Sequence, residues 1–541
     1  MLRTILPLLT LLLACITLQP PATAQTTADQ TGTELLDGLR AKSFKAKIAA
    51  VEKLAAGGDP KVAAPLTAML EGRLHIRKSD RALVILEKRD GKKFFVDPIS
   101  GETLGEAKSR SSNKVRVNNR LRGVLRSALG TLTLFSKDPD IRLKAARAIF
   151  KSADGNSLTI LAKAYLDETD DDVREALART VAATRLRHGS DDEKMAAVKI
   201  LTDFSDQGVR DLLAKAALSA KGDLAKAISL AAASIDQRLA FFGVLQNLFQ
   251  GISLGSVLLL AAIGLAITFG VMGVINMAHG EMVMLGAYTT HVVQVLVLQH
   301  FPDAVTHSLL LSIPVAFLVA GLFGVFLERS VIRFLYGRPL ETLLATWGLS
   351  LMLQQFVRSI FGPTNREVIA PSWMSGSIEI TGGLVLTNNR ICIIIFAAAV
   401  FLTLTLLIRY TDFGLRMRAV TQNRSMANAV GIRSNWIDAM TFGLGSGVAG
   451  LAGVALSQID NVSPNLGQGY IIDSFLVVVF GGVGNLWGTL VGALSLGVAN
   501  KFLEPYTGAV LAKILILVLV ILFIQKRPRG LFALKGRAVE N

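Results

Sequence analysis

Residues 251–281 read GISLGSVLLLAAIGLAITFGVMGVINMAHGE, and the first charged side chain in that run is Glu281. About 20 consecutive apolar residues cross the hydrocarbon core of a bilayer as an α-helix. The run therefore reads as a membrane span ending in a polar junction, Asn276-Met277-Ala278-His279-Gly280-Glu281. Eight more apolar runs follow. Together they predict nine spans, near 250–272, 278–298, 308–328, 341–361, 391–408, 437–458, 470–483, 486–503 and 508–525. The seventh is short for a bilayer and also fits half of a broken or re-entrant helix. The expectation for 241–530 is an all-α, polytopic helical bundle, with 531–541 as a cytoplasmic tail.

Composition agrees. The chain of 541 residues is 51% hydrophobic with a mean hydropathy of +0.48, which excludes a wholly soluble or a disordered protein. Its charged residues crowd into 26–240, so a soluble module precedes the membrane module. The net charge of +16 lacks the basic stripe with interleaved aromatics that nucleic acid would need, so no nucleic-acid partner is expected. Cytoplasmic Lys and Arg of a membrane protein explain it instead. The two cysteines, Cys15 and Cys392, allow no disulfide framework or Cys-based metal site in the mature chain.

Residues 1–24 read as a signal peptide: Arg3, an apolar stretch over 6–18, and a small-x-small site at Ala22-Thr23-Ala24. An uncleaved anchor, or a lipoprotein site at Leu12-Leu13-Ala14-Cys15, are the alternatives. Each places 25–240 outside the cytoplasm, in the periplasm of a bacterium. That module reads as helical repeats. Ile48, Val51, Leu54 and Ala55 recur at helical spacing, Gly57-Gly58-Asp59-Pro60 breaks the helix, and acidic clusters at 138–140, 171–172 and 191–193 precede apolar runs. Acidic residues suit helix N-termini. Arg142 and Arg174 lie 32 positions apart, a solenoid period. This resembles a HEAT-like α-solenoid. Residues near 74–100 differ: Leu74–Ile76, 82–87 and 93–96 are β-rich around Asp90-Gly91, predicting an inserted β-hairpin, with 109–122 as a basic connection or helix start. His75 and His188 are isolated and suggest no chemistry; a docking role is the default for a solenoid.

Basic residues set the orientation. Arg329, Arg333 and Arg338, then Arg409, Arg416, Arg418, Arg424 and Arg433, then Lys526, Arg527, Arg529, Lys535 and Arg537 occupy alternate connections, whereas 299–307 and 460–469 hold no Lys or Arg. The positive-inside rule puts the basic set in the cytoplasm. An exported amino end and a cytoplasmic tail need an odd number of spans. Gly443, Gly447, Gly450 and Gly453, and Gly484, Gly488 and Gly492, form small-residue stripes that permit close helix packing, or else a moving interface.

Polar residues at membrane depth cost a few kcal/mol each when unpaired, so they are the substrate-path candidates: Asn276, His279, Glu281, Gln354, Gln458, Asn461, Asp473 and Asn485. His279 and Glu281 suggest a proton relay, or groups that fix a helix break. The scarcity of deep cations suits a neutral or zwitterionic solute. No G-x-x-x-x-G-K-[ST] phosphate loop occurs, so any ATP is bound by partner subunits, and neither cofactor nor metal is expected in this chain.

Three segments carry a resemblance: Asn276-Met277-Ala278-His279-Gly280-Glu281, Gly414-Leu415-Arg416-Met417-Arg418-Ala419 through Gly431-Ile432, and Gly481-Gly482-Val483-Gly484-Asn485. Over about 245–530 the chain resembles the permeases of high-affinity branched-chain amino acid ABC importers. Thr346-Trp347-Gly348-Leu349-Ser350, 480–489 and the exported extension resemble the urea permeases of that family. The resemblance implies an inner-membrane permease, not an enzyme, working with a second permease subunit, two cytoplasmic ATPase subunits and a periplasmic substrate-binding protein. It implies an ATPase-coupling loop holding Arg416, Arg418, Ala427 and Gly431, although Ser425-Met426-Ala427 lacks the family's usual acidic residue. Urea is the implied cargo, with branched-chain amino acids or short amides as the alternative. A passive urea channel is the reading from another class, and the long basic loop argues against it.

Overall fold

The structure, a computed structural model, describes residues 36–532 apart from 58–59, 90–91, 108–110, 153–154 and 382–383. The signal-peptide reading at 1–24 and most of the tail at 531–541 lie outside the described residues. The chain divides into two compact units, 1–238 and 239–541.

The first unit opens with helices α1 (Phe44–Gly57) and α2 (Ala63–Glu71). Five strands follow: β1 (Leu74–Arg77), β2 (Leu83–Arg89), β3 (Lys92–Val96), β4 (Thr103–Glu106) and β5 (Ser112–Lys114). Arg89 pairs with Lys92 across the Asp-Gly position, so the expected hairpin is β2–β3. It belongs to a larger antiparallel sheet of order β4-β3-β2-β1-β5. The insert therefore runs to Lys114, beyond the hairpin expected near 74–100. The stretch read as a connection contains β5, whose residues 112–114 are short and largely exposed and show no apolar alternation.

Helices α3 (Asn119–Thr133), α4 (Pro139–Ser152), α5 (Leu158–Asp167), α6 (Asp171–His188), α7 (Asp191–Leu201) and α8 (Gln207–Ala217) complete the unit, with the start of α9 (Gly222–Met272). Polar side chains cap these helices, at the acidic starts near 171 and 191 as expected and at 118 and 206 besides. The side chains of Asn118, Asp170 and Asp206 accept hydrogen bonds from Leu121, Val173 and Val209 N–H, and Ser190 with Glu193 forms a capping box.

A ladder of ion pairs ties successive helices. Arg142 Nη2 reaches Glu168 Oε1 at 2.7 Å and its Nε reaches Oε2 at 2.8 Å, a bidentate pair. Arg174 Nη2 donates to the Glu168 carbonyl at 2.6 Å, so both arginines of the 32-residue spacing meet at one residue. Arg179 pairs with Asp206 at 2.9 Å and Arg210 with Asp236 at 2.9 Å. The Arg142 guanidinium holds the Glu168 carboxyl down at about 2.

The second unit takes the rest of α9, then α10 (His279–His300), α11 (Ser308–Ser330), α12 (Pro339–Phe361), the hairpin β6 (Ser377–Thr381) and β7 (Leu384–Thr387), and α13 (Asn388–Tyr410). Two short helices follow, α14 (Asp412–Gln422) and α15 (Arg424–Ala429), then α16 (Ser434–Leu456), α17 (Leu466–Gly481), α18 (Leu486–Thr507) and α19 (Ala509–Lys526). Each of the nine predicted spans has a helix. Among the described residues seven helices are long and apolar enough to cross a membrane; α12 and α17 fall outside that set. The polar face of α12 and the 16-residue length of α17 account for this.

Helix α16 is the centre: 89% of its apolar window is buried, against 17% for α19. Its glycines face other backbones. A Cβ on Gly445 would sit 2.7 Å from the Gly264 carbonyl oxygen of α9, one on Gly447 2.7 Å from the Phe317 ring of α11, and one on Gly450 2.7 Å from Ala320 Cβ of α11. Gly286 of α10 would collide with the Gly450 backbone, and Gly453 with the Val283 carbonyl. The first stripe is thus a packing surface. The second is not a single stripe: Gly484 lies in the break between α17 and α18 with φ +80°, while Gly488 abuts Gly481.

The connections gather at two ends. At one, Arg424 lies over the Tyr336 ring, Arg418, Gln422, Gly484 and Leu486 line a cavity of about 300 Å³, and Asn485 Nδ2 donates to the Phe532 carbonyl. At the other, Arg366 pairs in a β-bridge with Val462, and Gln294 bonds both ways to the Ile369 backbone at 2.8 and 2.9 Å. Arg366 gives that second end a cation of its own.

Two outcomes test these packings. Glu168→Gln should destabilise the first unit by about 1.5–3 kcal/mol, the range for hydrogen bonds to charged groups. Since the folded carboxyl titrates at about 2 against an ordinary 4.5, the pair's contribution is complete above 4.5 and is lost as pH falls towards 2. Hydrogen exchange across α4–α6 in the full chain reads both effects, and unchanged protection in the variant counts against the ladder. Gly286→Val should abolish recovery of monodisperse protein in detergent, while Gly348→Ala, at a position with open space around it, should not.

Candidate functional site

The polar junction after α9 does not run through α9's end as one cluster; its side chains turn to three different neighbours. Asn276 Oδ1 accepts the Ala278 N–H at 3.0 Å, closing a turn just before α10. The adjacent Met277 N–H goes to Thr346 Oγ1 of α12 at 3.1 Å, tying the junction to that helix. His279 is buried, with Nε2 2.9 Å from the Ala261 carbonyl of α9. Glu281, only 1% exposed, turns to α12 instead: Oε1 accepts Ser350 Oγ–H and Gln354 Nε2–H, both at 2.8 Å. Ser350 and Gln354 are one helical turn apart, so they present donors to a single carboxylate oxygen. They also bond to one another at 3.2 Å. Gly280 makes this possible, since a Cβ there would meet the Gly467 carbonyl of α17 at 2.6 Å.

His279 and Glu281 therefore bond to different helices, and neither side chain is hydrogen-bonded to the other. Glu281 Oε2, His279 Nδ1 and Asn276 Nδ2 are buried without a partner. Unpaired polar atoms of this kind cost free energy unless something else satisfies them. Among the described residues they are three such atoms within six positions of the chain.

The remaining candidates separate from this group. Gln458 is buried just beyond α16; its Nε2 donates to Ser457 Oγ at 3.1 Å and its Oε1 is unpartnered. Asn461 is exposed in the following loop. Asp473 is ion-paired with Lys513 at 2.9 Å, which also sits over the Tyr470 ring, so it links α17 to α19. Asn485 is the N-cap of α18, accepting from Trp487 and Gly488 N–H. Asp473 and Asn485 thus fasten helices. Ser350 and Thr346 were missed as site residues because each lies in an apolar run, and only the i, i+4 spacing to Gln354 and Thr342 marks their polar face.

The loop between α13 and α16 is built as two helices around a tight joint. Thr411 Oγ1 caps α14 and Asn423 Oδ1 caps α15. Ala427 is buried, Arg416 is exposed, and Arg418 Nη1 folds back onto the Ile408 carbonyl. Gly431 has φ +89°, a left-handed conformation that favours glycine, and it ends the joint. Leu415, Met426 and Val430 are 60–68% exposed, three large apolar side chains on a polar loop.

Comparison with known proteins follows this geometry. The family described as "Branched-chain amino acid transport system / permease component" matches residues 247–524, from within α9 to the end of α19. The high-affinity branched-chain amino acid transport system permease protein LivH of Salmonella typhimurium is 31% identical over 298 residues, 54% of this chain and 96% of LivH. The corresponding permease protein BraD of Pseudomonas aeruginosa is 32% identical over 293 residues, 53% of this chain and 95% of BraD. LivH of Escherichia coli K12 is 30% identical over 298 residues, with the same shares as the Salmonella protein. No solved structure matches the chain. The glycine-packed apolar helices of the second unit are those of an integral inner-membrane transport permease, and the chain belongs to the branched-chain amino acid transport permease family.

Proposed function

We propose that this chain is the permease subunit of an ATP-driven importer for urea. Partner ATPases supply the energy, a second permease subunit completes the pathway and a periplasmic binding protein delivers the solute. The observation that carries the reading is the Glu281–Ser350–Gln354 group. One carboxylate oxygen is tied by two donors and the other is buried and unpartnered. Urea has four N–H donors and one carbonyl, so a carboxylate backed by an amide suits it. Among the described residues of the second unit no Lys or Arg is buried, so nothing stands ready for a solute carboxylate. The resemblance of 346–350 and 480–489 to urea permeases points the same way.

A second solute has its own support. The relatives are named for branched-chain amino acids, and Glu281 would serve an ammonium group as well as an amide. The basic connections meeting at one end support a cytoplasmic placement for that end, with 36–238 outside as a HEAT-like docking module. The exposed Leu415, Met426 and Val430 support α14–α15 as the ATPase contact.

Labelled urea uptake at low concentration, in cells with and without this chain, tests the cargo. ATP-dependent uptake that leucine and short amides do not compete, with about tenfold higher KM for Glu281→Gln, is the expected result; a tenfold change corresponds to the ~1.4 kcal/mol of one charge-assisted bond. Normal urea uptake with lost leucine uptake would leave the family reading and overturn the cargo. Gly431→Val, which cannot adopt φ +89° without strain, should leave membrane insertion intact and cut uptake several-fold. Unchanged uptake would remove Gly431 from the coupling loop.

A further inference from the structure

The joint between α14 and α15 is fastened to the bundle by one arginine. Arg424, the first residue of α15, places Nη2 2.6 Å from Asp438 Oδ2. Asp438 is on the second turn of α16 and is fully buried. The same guanidinium lies 5.0 Å from the centroid of the Tyr336 ring, in the connection between α11 and α12. The Tyr336 hydroxyl donates to Glu328 Oε1 at 3.1 Å, and Glu328 is a buried residue near the end of α11. Four residues from three segments of the chain thus form one chain of charged and aromatic contacts: Arg424, Asp438, Tyr336 and Glu328.

The burial makes this connection stiff. Removing the partner of a buried carboxylate leaves an uncompensated charge, which is strongly unfavourable. Arg424 is therefore held to Asp438 whenever α15 moves. Asp438 stands on the helix whose glycines touch α9, α10 and α11 backbone to backbone. Displacement of α15 passes to α16 through the ion pair and to α11 through Tyr336 and Glu328. Arginine suits the position because its planar head both pairs with a carboxylate and stacks on a ring.

We propose that Arg424 is a positioning residue of transport: its ion pair with Asp438 and its stacking on Tyr336 convert movement of α14–α15 into movement of α16 and α11. This rests on the reading of α14–α15 as the ATPase contact. Loss of the pair leaves ATP hydrolysis running and lowers the solute moved per ATP.

The test uses the complete complex in proteoliposomes, with uptake and ATP hydrolysis measured together and the ATPase retained on the membrane quantified. Arg424→Gln should keep ATPase retention and at least half of the hydrolysis rate, while uptake per ATP falls at least fivefold. Arg424→Lys, which keeps the charge but not the planar head, should retain more of the ratio than Arg424→Gln while falling short of the unaltered complex. Should Arg424→Gln fail to assemble, Asp438→Asn, which leaves no buried charge unpaired, carries the same ratio measurement. Uptake and hydrolysis falling in proportion, or an unchanged ratio, overturns the inference alone. Uptake by the unaltered complex that needs no ATP overturns the importer reading, and this inference with it.

Discussion

Backbone-to-backbone contact at α16 is the constraint on which the second unit depends. In lipid, apolar side chains gain little by leaving one hydrocarbon surface for another, so helices associate through close packing and buried polar bonds. Gly445, Gly447, Gly450 and Gly453 let three neighbouring helices come closer than any Cβ would allow. The same device recurs where Gly280 meets Gly467 and where Gly481 meets Gly488, so α17 and α18 are held by it too. The outward faces of α13 and α19 are left apolar and exposed, as a lipid-facing or subunit-facing surface requires.

Against that close packing, buried polar groups stand out as deliberate. Most close on themselves: Thr268, Thr290 and Ser312 return their hydroxyls to carbonyls of their own helices. Asp473 and Asp438 are neutralised by Lys513 and Arg424. Glu281 differs in that its donors are neutral, while its second oxygen, like Asp438 Oδ1, has no partner.

The first unit solves the other half of the problem with different means. Its helices bury apolar cores, and ion pairs join them: Arg142 with Glu168, Arg179 with Asp206 and Arg210 with Asp236. Each acid lies 26 or 27 positions after its arginine.

Local properties were legible in the sequence. Apolar run lengths placed nine of the helices of the second unit, acidic clusters marked helix starts near 138–140, 171–172 and 191–193, and Asp90-Gly91 marked where β2 gives way to β3, because each depends on a few neighbouring residues. The glycine stripe on α16 announced close packing for the same reason. What the sequence could not decide was pairing over distance. That Glu281 turns to Ser350 and Gln354 while His279 turns to Ala261, that Asp473 is spent on Lys513 and Asn485 on a cap, and that β4 and β5 extend the hairpin into a five-stranded sheet are all outcomes of which elements meet. Ser350 and Arg424 looked like an apolar-run serine and a loop cation; only contacts 69 and 14 residues away give them partners. Chain spacing carries no information about such meetings, and packing carries all of it.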